Sequence, residues 1–169
     1  AISGIIDDLY QLSLADSASL NLHRSTINLG EMLLELSDEF SEKFSQKNMR
    51  IDINFDSHKE YLSSIDIKRV QQVFTNLLEN SVRYTDPDGM LRISIHSQQN
   101  FWQIDFEDTA PSVPDDALDK IFDRLYRVES SRNRETGGAG LGLSICESII
   151  QAHDGSIKAS HSPLGGLKQ

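Results

Sequence analysis

The run DIKRVQQVFTNLLENSVRY, residues 66–84, constrains the fold of this chain more than any other stretch. Val70, Phe74, Leu77, Leu78 and Ser81 recur at three- and four-residue intervals, so the spacing predicts a helix with one apolar side. Asp66 is a good N-cap for it, because its carboxylate can take a first-turn N–H that has no intrahelical acceptor. Beside the apolar side, Asn76, Asn80 and Arg83 fall in one narrow stripe at i, i+4 and i+7. Asn favours neither helix interiors nor cores. Two of them one turn apart, with a cation a turn further on, need a reason. An amide oxygen is a hard donor suited to Mg²⁺, which accepts few protein ligands and keeps waters and phosphate oxygens. Arg83 can offer paired N–H donors to phosphate. A solvated polar face would show the same stripe.

Around this helix the periods change often. Asn28 followed by Glu31 is a capping-box-like start, and Leu29, Met32, Leu33, Leu36, Phe40 and Phe44 carry an apolar helix face to about Lys47. Ile51, Ile53 and Phe55 alternate as in a strand, and Tyr61–Ile65 is a second short one. TDPDG, residues 85–89, is a turn; strands near Leu91–His96 and Trp102–Phe106 follow as a hairpin through QQN. Pro114 suits the first turn of a short helix to about Leu125. Gly140–Ala152 is helical again and Ser156–Ala159 reads as a strand. Upstream, residues 16–25, DSASLNLHRS, have the polar character of a linker. Ile2, Ile5, Ile6, Leu9 and Leu12 form a short amphipathic helix, either packed on its own domain or the last turns of a longer hairpin. Strands and helices mix without regular βα alternation, which favours an α+β sandwich over a doubly wound sheet.

Composition narrows the function classes. A net charge of −10 over 169 residues excludes a broad nucleic-acid surface or polybasic membrane patch, so positive field for an anion must be local. One cysteine, Cys146, rules out an intrachain disulfide and a Cys-rich zinc site, and its place on the apolar side of a helix marks it as core. No apolar run approaches the ~20 residues that span a bilayer, and no signal peptide opens the chain. The chain is expected to be a piece of something longer. His153, in AHDG, reads as a helix-end residue favoured at the negative end of the helix dipole.

Two further stretches suit an anionic ligand. TGGAGLGLSIC, residues 136–146, runs glycines 138, 140 and 142 into an apolar helix, where backbone N–H groups and the helix dipole favour an anion. It is neither G-x-G-x-x-G behind a strand nor a P-loop; a flexible connector would also look like this. The loop RVESSRNRETGG concentrates Arg127, Arg132 and Arg134 in an acidic chain, as a cationic lid or as a solvated connector.

Taken in order, these features resemble the ATP-binding catalytic domain of sensor histidine kinases, in the GHKL superfamily of gyrase, Hsp90, histidine kinase and MutL. NLLENSVRYT is similar to the family's N box, KIFDRLYR to its F box and GGAGLGLSIC to its second glycine box. The resemblance covers residues 28–169, and ISGIIDDLYQLSLAD resembles the end of a dimerisation-and-phosphoacceptor hairpin. The wording of RVESSRNRETGGAGLGLSIC and AHDGSIKASHSPLGG looks most like envelope-stress sensor kinases. The fold implied is a two-layer α/β sandwich of the GHKL (Bergerat) type, with a mixed sheet covered on one face by helices and an N-terminal helical remnant. The domains implied are a hairpin end at 1–15, a linker at 16–27 and a catalytic domain at 28–169 whose last strand is missing after Leu167.

The resemblance also implies roles. Asn80 matches the Mg²⁺-binding asparagine and Asn76 supports it; Arg83, where the family usually has Lys, contacts phosphates; Tyr84 matches an aromatic beside the nucleotide. Arg127 matches the lid arginine that approaches the γ-phosphate, and Gly138, Ala139, Gly140, Leu141 and Gly142 match the lid end near the phosphates. Asp108 matches the acid that takes a hydrogen bond from the adenine amino group, a role that suits a carboxylate better than holding phosphate. The family's D-x-G-x-G is here Asp108-Thr109-Ala110-Pro111-Ser112, so Ala110 adds a methyl to the base wall and Ser112 is free to cap the next helix. The implied cofactors are ATP and Mg²⁺. The implied partners are the phosphoacceptor hairpin and a response regulator, with a homodimer for the full-length protein, the fragment as a monomer, and no nucleic acid. The implied place is the cytoplasmic domain of an inner-membrane sensor. None of His23, His58, His96, His153 or His161 sits in the acceptor pattern H-[ED]-x-[KR]-[ST]-P, so the acceptor histidine is expected outside this chain. Asn76 stands where hydrolysing relatives carry a glutamate base, which disfavours an ATPase; a nucleotide-sensing module with degenerate catalysis is the other alternative.

Overall fold

The computed structural model describes residues 21–109, 142–161 and 165–168. Strand β1, Arg24–Asn28, leads directly into helix α1, Leu29–Gln46. Asn28 caps that helix: its side-chain oxygen accepts from Gly30 N at 3.0 Å and also from Tyr61 N at 3.2 Å, tying the helix start to the next segment. The helix stops in a Schellman turn. Asn48 takes φ 53°, Asn48 N donates to Ser45 O and Met49 N donates back to Phe44 O at 2.8 Å. Next come β2, Arg50–Asn54, then β3, Leu62–Asp66, and helix α2, Ile67–Tyr84. Asp66 is the expected N-cap, accepting from Arg69 N at 3.2 Å. Strands β4, Met90–Gln98, and β5, Phe101–Thr109, form a hairpin longer than expected at both ends. Helix α3, Gly142–Ala152, and two short strands, β6, Ser160–His161, and β7, Gly165–Lys168, complete the described chain.

The main sheet has five strands in the order β2-β4-β5-β7-β6, with β2 parallel to β4 and the other pairs antiparallel. Register fixes its two faces. Ile51, Ile53, Leu91, Ile93, Ile95, Ile104 and Phe106 fall on one side through the pairs Ile51↔Leu91, Ile53↔Ile93, Ile93↔Phe106 and Ile95↔Ile104. That side packs with Leu33, Leu36 and Phe44 of α1, Val73, Phe74 and Leu78 of α2, and Ile145, Cys146 and Ile149 of α3 in one core. The opposite side is polar. Arg92 Nε meets Asp52 at 2.9 Å, Asn54 Nδ2 donates to Ser94 Oγ at 3.1 Å, and His96 Nε2 lies 3.3 Å from Asp105. Among the described residues the helices thus cover one face, as a two-layer α+β sandwich requires.

Three expectations need correction. The stretch read as linker contributes β1, which pairs antiparallel with β3 from Arg24↔Asp66 to Asn28↔Leu62. Ser156–Ala159 is not a strand; pairing begins only at Ser160. A last strand was expected to be missing, yet Gly165–Lys168 pairs with both β5 and β6. The segments 1–20 and 110–141, with the amphipathic start and the Pro114 helix, lie outside the described residues.

Candidate functional site

The C-terminal turns of α2 and the end of β5 meet. Asp108 pairs across the sheet with Leu91, so it stands on the helix-facing side, where Ser81 Oγ lies 3.3 Å from its Oδ2. Both residues are buried. A buried carboxylate needs hydrogen-bond donors, and a hydroxyl in an otherwise apolar helix stripe supplies one. The next residue, Thr109, accepts from Met90 N through Oγ1 at 3.1 Å. The 85–89 turn packs beneath it. A Cβ on Gly89 would lie 2.4 Å from Thr109 Oγ1 and 2.7 Å from the Thr85 methyl, so only glycine fits there. Lys47, at the end of α1, donates from Nζ to Val82 O at 2.7 Å and to Thr85 O. A cation on the last carbonyls of α2 is favourable and fixes the turn that carries Arg83 and Tyr84.

The amide stripe borders α3. Asn76, Asn80 and Arg83 are half-buried, and the Arg83 guanidinium lies 5.9 Å from the Tyr84 ring centroid. The Asn76 side chain hydrogen-bonds the Cys146 thiol, whose Sγ also lies 3.7 Å from Val73 O. Complete burial pushes that thiol up to about 12, against the opposing pull of the Asn76 bond, so the group stays neutral and can donate to the Val73 carbonyl. Further along α3, His153 meets Asp66 at the other end of α2. Cys146 against Val73 and His153 against Asp66 make the two helices antiparallel. On that register Gly142, the first residue of α3, lies beside Leu77, about one turn of α2 before Asn80.

Asn76, Asn80, Arg83, Tyr84 and Asp108 thus sit in the C-terminal half of α2 and at the end of β5, and Gly142 opens α3. Ala110, Ser112, Arg127, Gly138, Ala139, Gly140 and Leu141 lie outside the described residues. Sequence reasoning missed Ser81, Thr85, Gly89, Thr109 and Lys47. The signal for Ser81 was present, since a hydroxyl on the apolar side of a helix is costly to bury without a partner, whereas Thr85 falls in the turn that follows the helix. Among the described residues no three His, Cys, Asp or Glu side chains are grouped to hold a metal ion. The donors on the stripe are amides. They suit Mg²⁺, which draws most of its ligands from water and phosphate. No described helix is long and apolar enough to cross a membrane.

Residues 65–168 match the family described as histidine kinase-, DNA gyrase B-, and HSP90-like ATPase. The chain belongs to that family. It is 41% identical over 166 residues to the signal transduction histidine-protein kinase BaeS of Escherichia coli strain K12, covering 98% of this chain and 35% of BaeS. It spans about a third of that relative's length. Among solved structures, the catalytic domain of histidine kinase ThkA matches with a TM-score of 0.76 at 26% identity, covering 87% of this chain and 92% of that domain. ThkA in complex with the response regulator protein TrrA matches with a TM-score of 0.75 at 23% identity, a likeness of fold, covering 99% of this chain and 47% of ThkA. The mixed sheet with helices is thus the architecture of histidine kinase catalytic domains, as the motifs implied.

Proposed function

We propose that this chain is the ATP-binding catalytic domain of a two-component sensor histidine kinase. The observation that supports the reading is the antiparallel packing of α3 on α2, which sets the start of α3 within about one turn of Asn80, while Ser81, the next residue, meets the buried acid Asp108. A helix N-terminus favours phosphate, the stripe offers hard oxygen donors and a guanidinium, and the acid suits an exocyclic amine.

In this reading Asp108 accepts a hydrogen bond from the adenine amino group, held in place by Ser81. Tyr84 lies beside the base, and Ala110 and Ser112 complete its wall. Arg83 and the backbone of residues 138–142 contact phosphates, and Arg127 approaches the γ-phosphate. Asn80 holds Mg²⁺, supported by Asn76, whose bond to Cys146 fixes its rotamer. The bound Mg²⁺ supplies charge neutralisation on the phosphates. An imidazole nitrogen of the acceptor histidine attacks the γ-phosphorus, the bond to the β,γ-bridging oxygen breaks, and ADP leaves. The protein contributes positioning and electrostatics. The acceptor belongs to a dimerisation hairpin of the same protein, a homodimeric membrane sensor with this domain in the cytoplasm, and a response regulator takes the phosphoryl group onward. Residues 1–15 are the end of that hairpin.

Mixing this chain with a separate acceptor hairpin and γ-labelled ATP tests the reading: label is expected on histidine. ATP binding without transfer would leave a nucleotide-sensing module instead. Within the site, Asn80→Ala is expected to abolish Mg²⁺-dependent nucleotide affinity, and unchanged affinity would remove the metal assignment.

A further inference from the structure

His153 makes a contact that neither phosphate binding nor phosphoryl transfer explains. Helix α3 ends in a full Schellman turn: Asp154 takes φ 62°, Asp154 N donates to Gln151 O, and Gly155 N donates to Ile150 O at 2.9 Å. The turn fixes His153 at the helix cap and aims its ring back over α2. Ring Nδ1 lies 2.9 Å from Ile149 O, and ring Nε2 lies 3.1 Å from Asp66 N. A carbonyl can only accept and an amide N–H can only donate. The two partners therefore dictate a neutral ring with its proton on Nδ1 and a lone pair on Nε2. An imidazolium would set two N–H groups against each other. His153 is the helix-end residue that its place in AHDG implies, and the two ring bonds add what the sequence does not show.

Asp66 is itself a junction. Its carboxylate accepts from Arg69 N at 3.2 Å, closing the first turn of α2, and from His23 N at 3.0 Å, in the backbone just before β1. Burial disfavours its charge, but backbone donors from His23, Arg69 and Lys68 outweigh that and hold its pKa low. One node thus joins the C-terminus of α3, the N-terminus of α2 and the chain leading into β1. Asn80 lies fourteen residues along α2 from this node, about 21 Å at 1.5 Å per residue.

We propose that His153, as the neutral Nδ1–H tautomer, is a positioning residue that latches α3 to the N-cap of α2 and, through Asp66, to the backbone leading into β1. It fixes the relative register of two helices whose other ends form the nucleotide site, and so rests on that reading of the site. The same latch makes the chain ahead of β1 a lever on both helices.

Three readouts on the whole chain test it. Ring ¹⁵N chemical shifts of wild-type His153 at neutral pH are expected to show the Nδ1–H tautomer; an Nε2–H or doubly protonated ring overturns the latch. His153→Phe removes both ring bonds, and faster hydrogen exchange at Asp66 N–H is expected together with an affinity for ADP–Mg²⁺ about fivefold weaker, the effect of one ordinary hydrogen bond. His153→Gln keeps an acceptor and a donor on one amide and is expected to restore exchange and affinity to within about twofold of wild type. If His153→Phe frees Asp66 N–H yet leaves ADP affinity unchanged, the residue is structural and the positioning role is refuted. If Gln rescues neither, the bonding argument fails. Wild-type protein that takes no nucleotide sinks the nucleotide reading and the positioning role with it, whereas the tautomer still decides the latch.

Discussion

Replacing Gly89 by Ala places one methyl where three groups already stand. Its Cβ would lie 2.4 Å from Thr109 Oγ1, 2.7 Å from Thr85 Cγ2 and 2.9 Å from the Asp86 carbonyl oxygen. The carbonyl cannot swing away, because it accepts Gly89 N at 3.2 Å within the turn. Thr85 is buried and its methyl has little room. Thr109 can move only by giving up its bond from Met90 N. Overpacking of this kind costs about 1–3 kcal/mol, and an amide that loses its acceptor adds about 1 kcal/mol. The sum is about 2–4 kcal/mol, which for a domain of this size lowers Tm by roughly 4–16 °C. Thermal unfolding followed by circular dichroism reads this directly. Thr109→Ala alone loses the bond, so the Gly89→Ala/Thr109→Ala double variant should cost less than the two singles added together. A Gly89→Ala protein that melts within about 1 °C of wild type would refute the packing argument; strict additivity would show that Thr109 is not what the methyl meets.

Two further predictions use titratable groups. Asp66 has a folded pKa held below the ordinary 3.8, so its ionised form stabilises the fold above that value, and the contribution is lost as pH falls through the lowered one. Urea unfolding from pH 5 downward should therefore show a smaller acid loss in Asp66→Asn than in wild type, and identical slopes would discount the cap. Cys146 is fully buried with its thiol raised to about 12, so iodoacetamide at pH 8 should leave it intact in folded protein and label it quickly in urea. Equal labelling rates in the two states would mean that the packing of α3 on α2 is wrong.

Much of the fold is legible in the sequence wherever one element carries its own signal. α2 is fixed by Asp66 at one end, an unbroken apolar period and the TDPDG turn at the other, and the β4–β5 hairpin by alternation. β1 gives no such signal: RSTIN has three exposed residues and exists as a strand through its pairing with β3. β7 is led by two glycines and is held by its neighbours on both sides. Within the site, Asn76, Asn80 and Arg83 stand out as a stripe beside the apolar side of α2, and Asp108 through its match to the family's acid. Gly89 carries no such signal, and Ser81 shows only that it needs a partner, because what they serve, Thr109 and Asp108, lies 20 and 27 residues away along the chain. The state of the His153 ring was legible only from two distances, since sequence alone tells neither which partner each nitrogen meets nor which of them donates.

The far end of β5 has a practical consequence of its own. Trp102 is the sole tryptophan of the chain; its ring packs edge-on to Tyr61 at 5.2 Å, its indole N–H donates to Leu62 O at 2.9 Å, and the Lys59 ammonium lies 5.7 Å from its centroid. Six residues of extended strand, about 20 Å, separate it from Asp108. Intrinsic fluorescence excited at the indole band is therefore a gauge of whether β3 and β5 remain joined, with an ammonium quencher built in beside the fluorophore. It reports the integrity of the scaffold while staying blind to small rearrangements around the acid at the other end of the same strand.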